Sequence, residues 1–221
     1  MDVFQAVTTR RSIRKFRPDA VPEALIREIL EAARWSPSWG NTQPWQIVVV
    51  SGEPLDRLRK ANRQRIDDKV IPEPDTPMPG IWPENLKRRY TEVGKRVLTS
   101  LKIAREDREA RDRYTADMFA FFDSPCLLLF LVDAALPRGY AMLDVGVILQ
   151  TTCLLAHARG LGSCILAASI SYPAVIREII PIQDGKAVII GAALGYPDSD
   201  ASINQFVRER ATPDEYIAWI G

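Results

Sequence analysis

Residues 140–159, Tyr-Ala-Met-Leu-Asp-Val-Gly-Val-Ile-Leu-Gln-Thr-Thr-Cys-Leu-Leu-Ala-His-Ala-Arg, read as one long helix that is apolar nearly all round and is ended by Gly160 and Gly162. A helix without a polar face has to be enclosed on every side. In a chain of 221 residues that makes it a core spine, either of this chain alone or shared with a second subunit. The uninterrupted apolar runs elsewhere, 126–132 and 187–194, fall far short of the roughly 20 residues a membrane span needs. Residues 1–8 are too short and too polar for a signal peptide. The expectation is a cytoplasmic protein with no membrane partner.

The remaining elements are arranged around that spine. Residues 2–9 read as a short helix with Val3, Phe4 and Val7 on one face, and residues 23–35 as a second, with Leu25, Ile26, Ile29, Leu30 and Ala33 at helical spacing. Ser36-Pro37 stops it, since proline disfavours helix in the residue before it. A loop dense in turn formers follows at 36–45. Residues 46–51 form a β-branched strand and 55–65 a helix with a basic outer face. The run at 126–132 reads as a strand buried on both faces, 163–168 as a short strand, 173–180 as a helix, and 186–194 as another buried strand before the turn Gly195-Tyr196-Pro197. The pattern is that of a single domain, 1–221.

Between 66 and 118 the character changes. Pro72, Pro74, Pro77, Pro79 and Pro83 rule out regular structure over 70–83. The residues before them are too few for an independent domain, so the segment is a lid or an arm that wraps a second subunit. Residues 85–122 are highly charged and mostly helical, with expected breaks near Gly94 and at 103–105.

Composition removes several kinds of function. A net charge of +1 points to neither nucleic acid nor an acidic surface. Cys126, Cys153 and Cys164 lie in apolar surroundings and read as buried free thiols. One histidine, His157, with no Cys-x-x-Cys and no His-Glu-x-x-His, provides no zinc framework. It also stands in a segment that reads as buried helix, which leaves no base for a catalytic thiol or serine. Neither a P-loop nor a dinucleotide fingerprint is present. What remains is Arg10-Arg11-Ser12-Ile13-Arg14-Lys15, the loop at 36–45, and the cationic segment 202–210. Alone, the first of these is a solvated basic turn or an anion site; guanidinium forks beside a hydroxyl suit phosphate.

Taken together, Arg-Arg-Ser-Ile-Arg-Lys-Phe, Ser-Pro-Ser-Trp-Gly-Asn-Thr-Gln-Pro-Trp, the Gly-Leu-Gly-Ser-Cys strand entry at 160–164, and Gly-Tyr-Pro followed by Arg-Glu-Arg resemble the FMN-dependent nitroreductase family over nearly the whole chain. The Pro-rich loop and residues 88–113 are most similar to its nitrobenzoate and dinitroaniline reductase branch. The resemblance implies an α+β fold, a mixed sheet flanked by helices, in an intertwined homodimer with FMN at the interface. On that basis Arg10, Ser12, Arg208 and Arg210 would bind the phosphate and ribityl chain, and Arg14 would sit by the pyrimidine edge. Arg11 is included as a neighbour without a role of its own. Pro37, Ser38, Trp39 and Asn41 would come from the partner, and Ile165, Leu166, Ala167 and Ala168 would run along the ring as a strand.

No side chain is then required as a catalytic group, because the flavin carries the chemistry and Arg14 only tunes it. The implied activity is ping-pong reduction of a small nitroaromatic or quinone-type acceptor with NADH or NADPH. A dehalogenating or oxygen-using flavoenzyme of the same family, and a flavin-binding sensor with little turnover, are the alternatives. Many relatives carry a Pro-x-Glu-Gly type segment where this chain has Ile165–Ala168, so no carboxylate is expected there. The polar mid-chain residue that reaches the flavin in relatives has no identifiable counterpart within 62–118.

Overall fold

Aliphatic and β-branched runs become the four strands. In the computed structural model, which describes residues 1–221, β1 (Trp45–Ser51), β2 (Cys126–Asp133), β3 (Gly162–Leu166) and β4 (Lys186–Gly195) form one sheet in the order β1-β2-β4-β3. All three pairings are antiparallel; Leu129 of β2 lies opposite Val48 on one side and Gly191 on the other. The expectation of a mixed sheet is therefore corrected. The continuous apolar runs of β2 and β4 reflect burial on both faces, which here comes from helices on either side of an antiparallel sheet and says nothing about strand direction.

Successive residues of β2 point to opposite faces. Leu127, Leu129 and Leu131 pack with Leu55 and Leu58 of α3 (Gly52–Asp67) and Val175 and Ile176 of α7 (Pro173–Ile179). Leu128, Phe130 and Val132 pack with Ile26 and Ile29 of α2 (Glu23–Ala33) and Val145 and Ile148 of α6 (Arg138–Ala158). The N-terminal helix α1 (Val3–Thr9), capped by Asp2 through Gln5 N at 2.8 Å, lies near the far end of α6.

Helix α6 has the length and hydropathy of a membrane span, yet it lies against the sheet as a core helix. Within one chain it is enclosed on one side only. Ala141, Val145, Ile148, Leu149, Thr152, Cys153 and Ala156 are buried, while Tyr140 and Leu143 stand 62% and 61% exposed. Full enclosure does not follow from this chain's own packing.

The Pro-rich segment is pinned to the body. Glu73 N–H donates to Ser171 O at 3.1 Å and Tyr172 O–H to Val70 O at 3.1 Å. Asp75 Oδ2 accepts from Val188 N at 2.8 Å and from Arg177 Nη2 at 2.6 Å. Helix α4 (Glu84–Ser100) passes through Gly94 without the expected break, because one glycine costs only about 1 kcal/mol in a helix whose other residues favour it. The chain does break at 101–107, and α5 (Arg108–Phe119) starts afresh on the Asp107 cap. Helix α4 is joined to the C-terminal segment by Arg89–Glu215 (2.8 Å), by Arg96–Glu209 and by Ser202 Oγ to Ser100 O (2.7 Å).

Candidate functional site

The arginine-rich stretch leaves α1 and runs beside β3. Ile13 N–H donates to Ser163 O at 2.9 Å, Ser12 bridges to Ser163 in parallel, and Phe16 bridges to Pro197. This close approach requires Gly162: a Cβ there would lie 2.5 Å from Ile13 Cγ1 and 3.0 Å from Ile13 Cβ. Buried Asn204 fastens the other side, accepting from Arg14 N at 2.7 Å and donating to Lys15 O at 2.7 Å and Asp198 O at 2.8 Å. The two ends of the chain are thereby locked together.

That lock gathers cations. The Arg208 guanidinium donates to Arg10 O, and to Thr8 O at 2.7 Å, satisfying carbonyls at the end of α1. Arg11 donates to Phe206 O, and the guanidinium carbons of Arg11 and Arg14 both lie 5.7 Å from the Phe206 ring centroid. Arg10 Nε and Ser163 Oγ are buried without a hydrogen-bond partner. None of Arg10, Arg11, Arg14, Arg208 and Arg210 is paired with a carboxylate, although fourteen ion pairs occur elsewhere. Burial and then the neighbouring Arg14 lower the pKa of Arg11; burial and then Arg11, Arg210 and Arg10 lower that of Arg208. Like charges held together without counter-charge suit an anion, and the orphaned polar atoms are without an acceptor or donor of their own.

Arg14 faces a less polar corner. It opposes the burial that raises the pKa of Tyr114 on α5, and that of Cys164, which burial pushes up to about 11. The residues along β3 divide. Ile165 is exposed, Leu166 and Ala168 are buried and Ala167 is half-buried. The strand ends at Leu166, not at Ala168 as expected, because Ser169 Oγ donates to Leu166 O at 2.5 Å and the chain closes into a 3-10 turn over Ala167–Ile170.

The loop at 37–41 lies elsewhere. Trp39 N–H donates to Asp144 Oδ1 at 3.0 Å, Ser38 Oγ accepts from Gln43 N at 2.9 Å, and Asn41, at φ +57°, holds Gln43 Nε2 through its own carbonyls. Pro37 and Trp39 are exposed, and Trp39 lies 5.8 Å from the Tyr140 ring. The loop is thus tied to the first half of α6, whereas Thr9, beside Arg10, meets His157 in its last turn at 2.8 Å. Thirteen residues at 1.5 Å rise separate the two anchors by roughly 20 Å. Within one chain the arginines and the loop are not brought together.

Four contributors escaped the sequence reading: Asn204, Phe206, Asp144 and His157. The first two stood within a segment noted only for its cations. Asp144 is the sole acid in α6, a usable signal for a buried, partnered carboxylate. His157 is half-buried at the edge of the cluster rather than sealed in the core.

The family model for the nitroreductase family matches residues 7–196. The 4-nitrobenzoate reductase of Pseudomonas putida is 33% identical over 225 residues, covering 100% of this chain and 96% of that protein. The FMN and NADPH-dependent nitroreductase NfnB from Sphigopyxis sp. strain HMH superposes with a TM-score of 0.95 at 30% identity, each chain covered completely. The FMN-dependent nitroreductase NfnB from Mycobacterium smegmatis, solved in complex with NADPH, does so with a TM-score of 0.92 at 29% identity, covering 99% of this chain and 97% of that one.

Proposed function

The chain belongs to the nitroreductase family, and from that premise we propose that it is an FMN-dependent NAD(P)H oxidoreductase that reduces nitroaromatic acceptors as a homodimer. The observation that carries the reading is the set of arginines gathered from both ends of the chain with none of them paired to a carboxylate, Glu209 being engaged by Arg96. Such a set suits a phosphate, and the orphaned Arg10 Nε and Ser163 Oγ lie beside it. Arg10, Ser12, Arg208 and Arg210 would hold the FMN phosphate and ribityl chain. Arg14, fixed at its backbone by Asn204 and at its guanidinium by Phe206, would present a positive charge to the ring. Main-chain groups around Ile165–Ala168 would lie along it.

When bound, FMN supplies the hydride transfer from nicotinamide to acceptor that no side chain here can perform. The protein's part is to bind, orient and set the local potential, with donor and acceptor using one site in turn. A fixed cation favours the form of a cofactor that gains negative charge on reduction. The roughly 20 Å along α6 between the residue that anchors the 37–41 loop and the one that meets Thr9 favours a loop supplied by the partner subunit. The exposed Tyr140, Met142 and Leu143 of α6 offer an apolar face for that association.

The visible spectrum of the purified protein tests the cofactor, and stopped-flow mixing tests the activity. NADH or NADPH is expected to bleach the flavin absorption, and 4-nitrobenzoate or a quinone to restore it faster than air does. Lack of bleaching would indicate a flavin-binding protein; reoxidation by air alone would indicate an oxygen-using enzyme.

A further inference from the structure

His157 is the only histidine of the chain, and the chemistry above leaves it unused. It sits in the last turn of α6, with Nε2 2.8 Å from Thr9 Oγ1. The Thr9 hydroxyl lies 2.6 Å from Gln5 O and carries one proton for that carbonyl. Nε2 is then the donor to Thr9, and Nδ1 has no partner within the chain. Arg208 grips the carbonyls of Thr8 and Arg10 on either side of the same threonine. The imidazole and the two phosphate-directed arginines therefore surround one turn of backbone.

The groups around it from each packed element are few. Arg10 faces it from the end of α1 and Arg208 from the C-terminal segment. On α6, Cys153 lies one turn earlier, its pKa raised by burial, and Arg159 is paired with Glu28 of α2. No carboxylate is free to pair with the ring. Burial, then Arg10 and Arg208, hold the imidazole below its usual pKa. A dianion on those arginines reverses that environment, replacing net repulsion by attraction.

Resting on the reading that FMN phosphate occupies the arginine cluster, we infer that His157 is a further phosphate-site residue, taking up a proton when the phosphate binds and so making flavin retention pH-dependent. Binding and protonation are linked reciprocally, so each pH unit by which phosphate raises the imidazole pKa corresponds to about tenfold tighter binding of the phosphate at low pH.

Because the ring is unique, its proton NMR signals need no assignment. They are to be titrated in protein saturated with FMN and in protein saturated with riboflavin, which lacks the phosphate. The expected result is an imidazole pKa about one unit higher with FMN. Equal pKa values with both flavins bound would overturn the inference and leave the FMN reading intact; failure of FMN to bind would overturn both. A second arm uses His157→Gln, whose amide keeps a donor for Thr9. FMN phosphate itself titrates near pH 6, so the readout is the ratio of wild-type to variant affinity. That ratio should be about one at pH 8 and rise several-fold by pH 6, approaching tenfold only well below the imidazole pKa of the phosphate-free protein; a ratio that does not change with pH would overturn the inference.

Discussion

Gly162→Ala perturbs the joint between fold and site with a single methyl group. Ordinary carbon–carbon contact is about 3.5–4.0 Å, whereas the new Cβ would stand 2.5 Å from Ile13 Cγ1 and 3.0 Å from Ile13 Cβ. The neighbour has to move by about 1 Å to reach that contact distance. Ile13 is β-branched and 6% exposed, so its side chain has no open space to turn into. The displacement passes to the backbone, where Ile13 N–H donates to Ser163 O at 2.9 Å. Overpacking of this kind costs about 1–3 kcal/mol, and the strained hydrogen bond contributes about 1 kcal/mol more. A urea titration should show a stability loss of about 2–4 kcal/mol with an unchanged slope. Fluorescence quenching of FMN should show affinity weakened about tenfold, equivalent to about 1.4 kcal/mol, since Ser12 and Arg14, both proposed to meet the flavin, flank the displaced residue. Gly94→Ala is the control: its Cβ meets nothing within 4 Å, and the interior of α4 gains about 0.5–1 kcal/mol from the exchange. If Gly162→Ala matched wild type in both measurements, the close approach of residues 12–14 to β3 would not be what positions the arginines.

Asp144→Ala leaves Trp39 N–H without its acceptor and should cost about 1–3 kcal/mol in thermal or urea unfolding; proteolysis should then cut within 36–45 sooner than in wild type. Asp75→Ala removes the acceptor of both Val188 N and Arg177, with a loss of about 1–3 kcal/mol and faster proteolysis within 70–83. Burial pushes the thiols of Cys126 and Cys164 up to about 12 and about 11, so a thiol reagent at pH 8 should find these two unreactive until the protein unfolds. Because the unfolded thiols ionise near 9 and these folded ones do not, their contribution to stability is intact below that pH and declines as pH rises from 9 toward 12. FMN at a hundredfold excess over its dissociation constant should stabilise the protein by about 2.7 kcal/mol, read as an upward shift of the melting temperature.

Much of this was legible beforehand because local chemistry decides it. The spacing of Ile26, Ile29 and Ala33 specifies α2, and the five prolines keep 70–83 irregular. The arginine stretch stands out by composition alone, and only its pairing with 37–41 and 208–210 points toward a cofactor. What stayed hidden depends on tertiary placement. Strand direction cannot be read from runs such as 126–132, since double-sided burial erases the alternation that would help. The end of β3 at Leu166 hangs on one Ser169 hydroxyl bond. His157 looked like core because its helix is apolar, although it lies in the last turn, where α1 approaches. Asn204 is one side chain whose three hydrogen bonds reach residues up to 190 positions away, a relation no local pattern encodes.

The contact between Arg208 and the Thr8 carbonyl joins positions 200 residues apart. During synthesis at about 5–20 residues per second, the arginines after α1 emerge roughly 10–40 s before their counterpart exists. For that interval the N-terminal jaw is an unfastened basic strand, held neither by Asn204 nor by Arg208. The sheet, whose last strand ends at Gly195, can form first. On the proposed reading of these arginines as a phosphate site, a flavin that arrived early would meet only half of it.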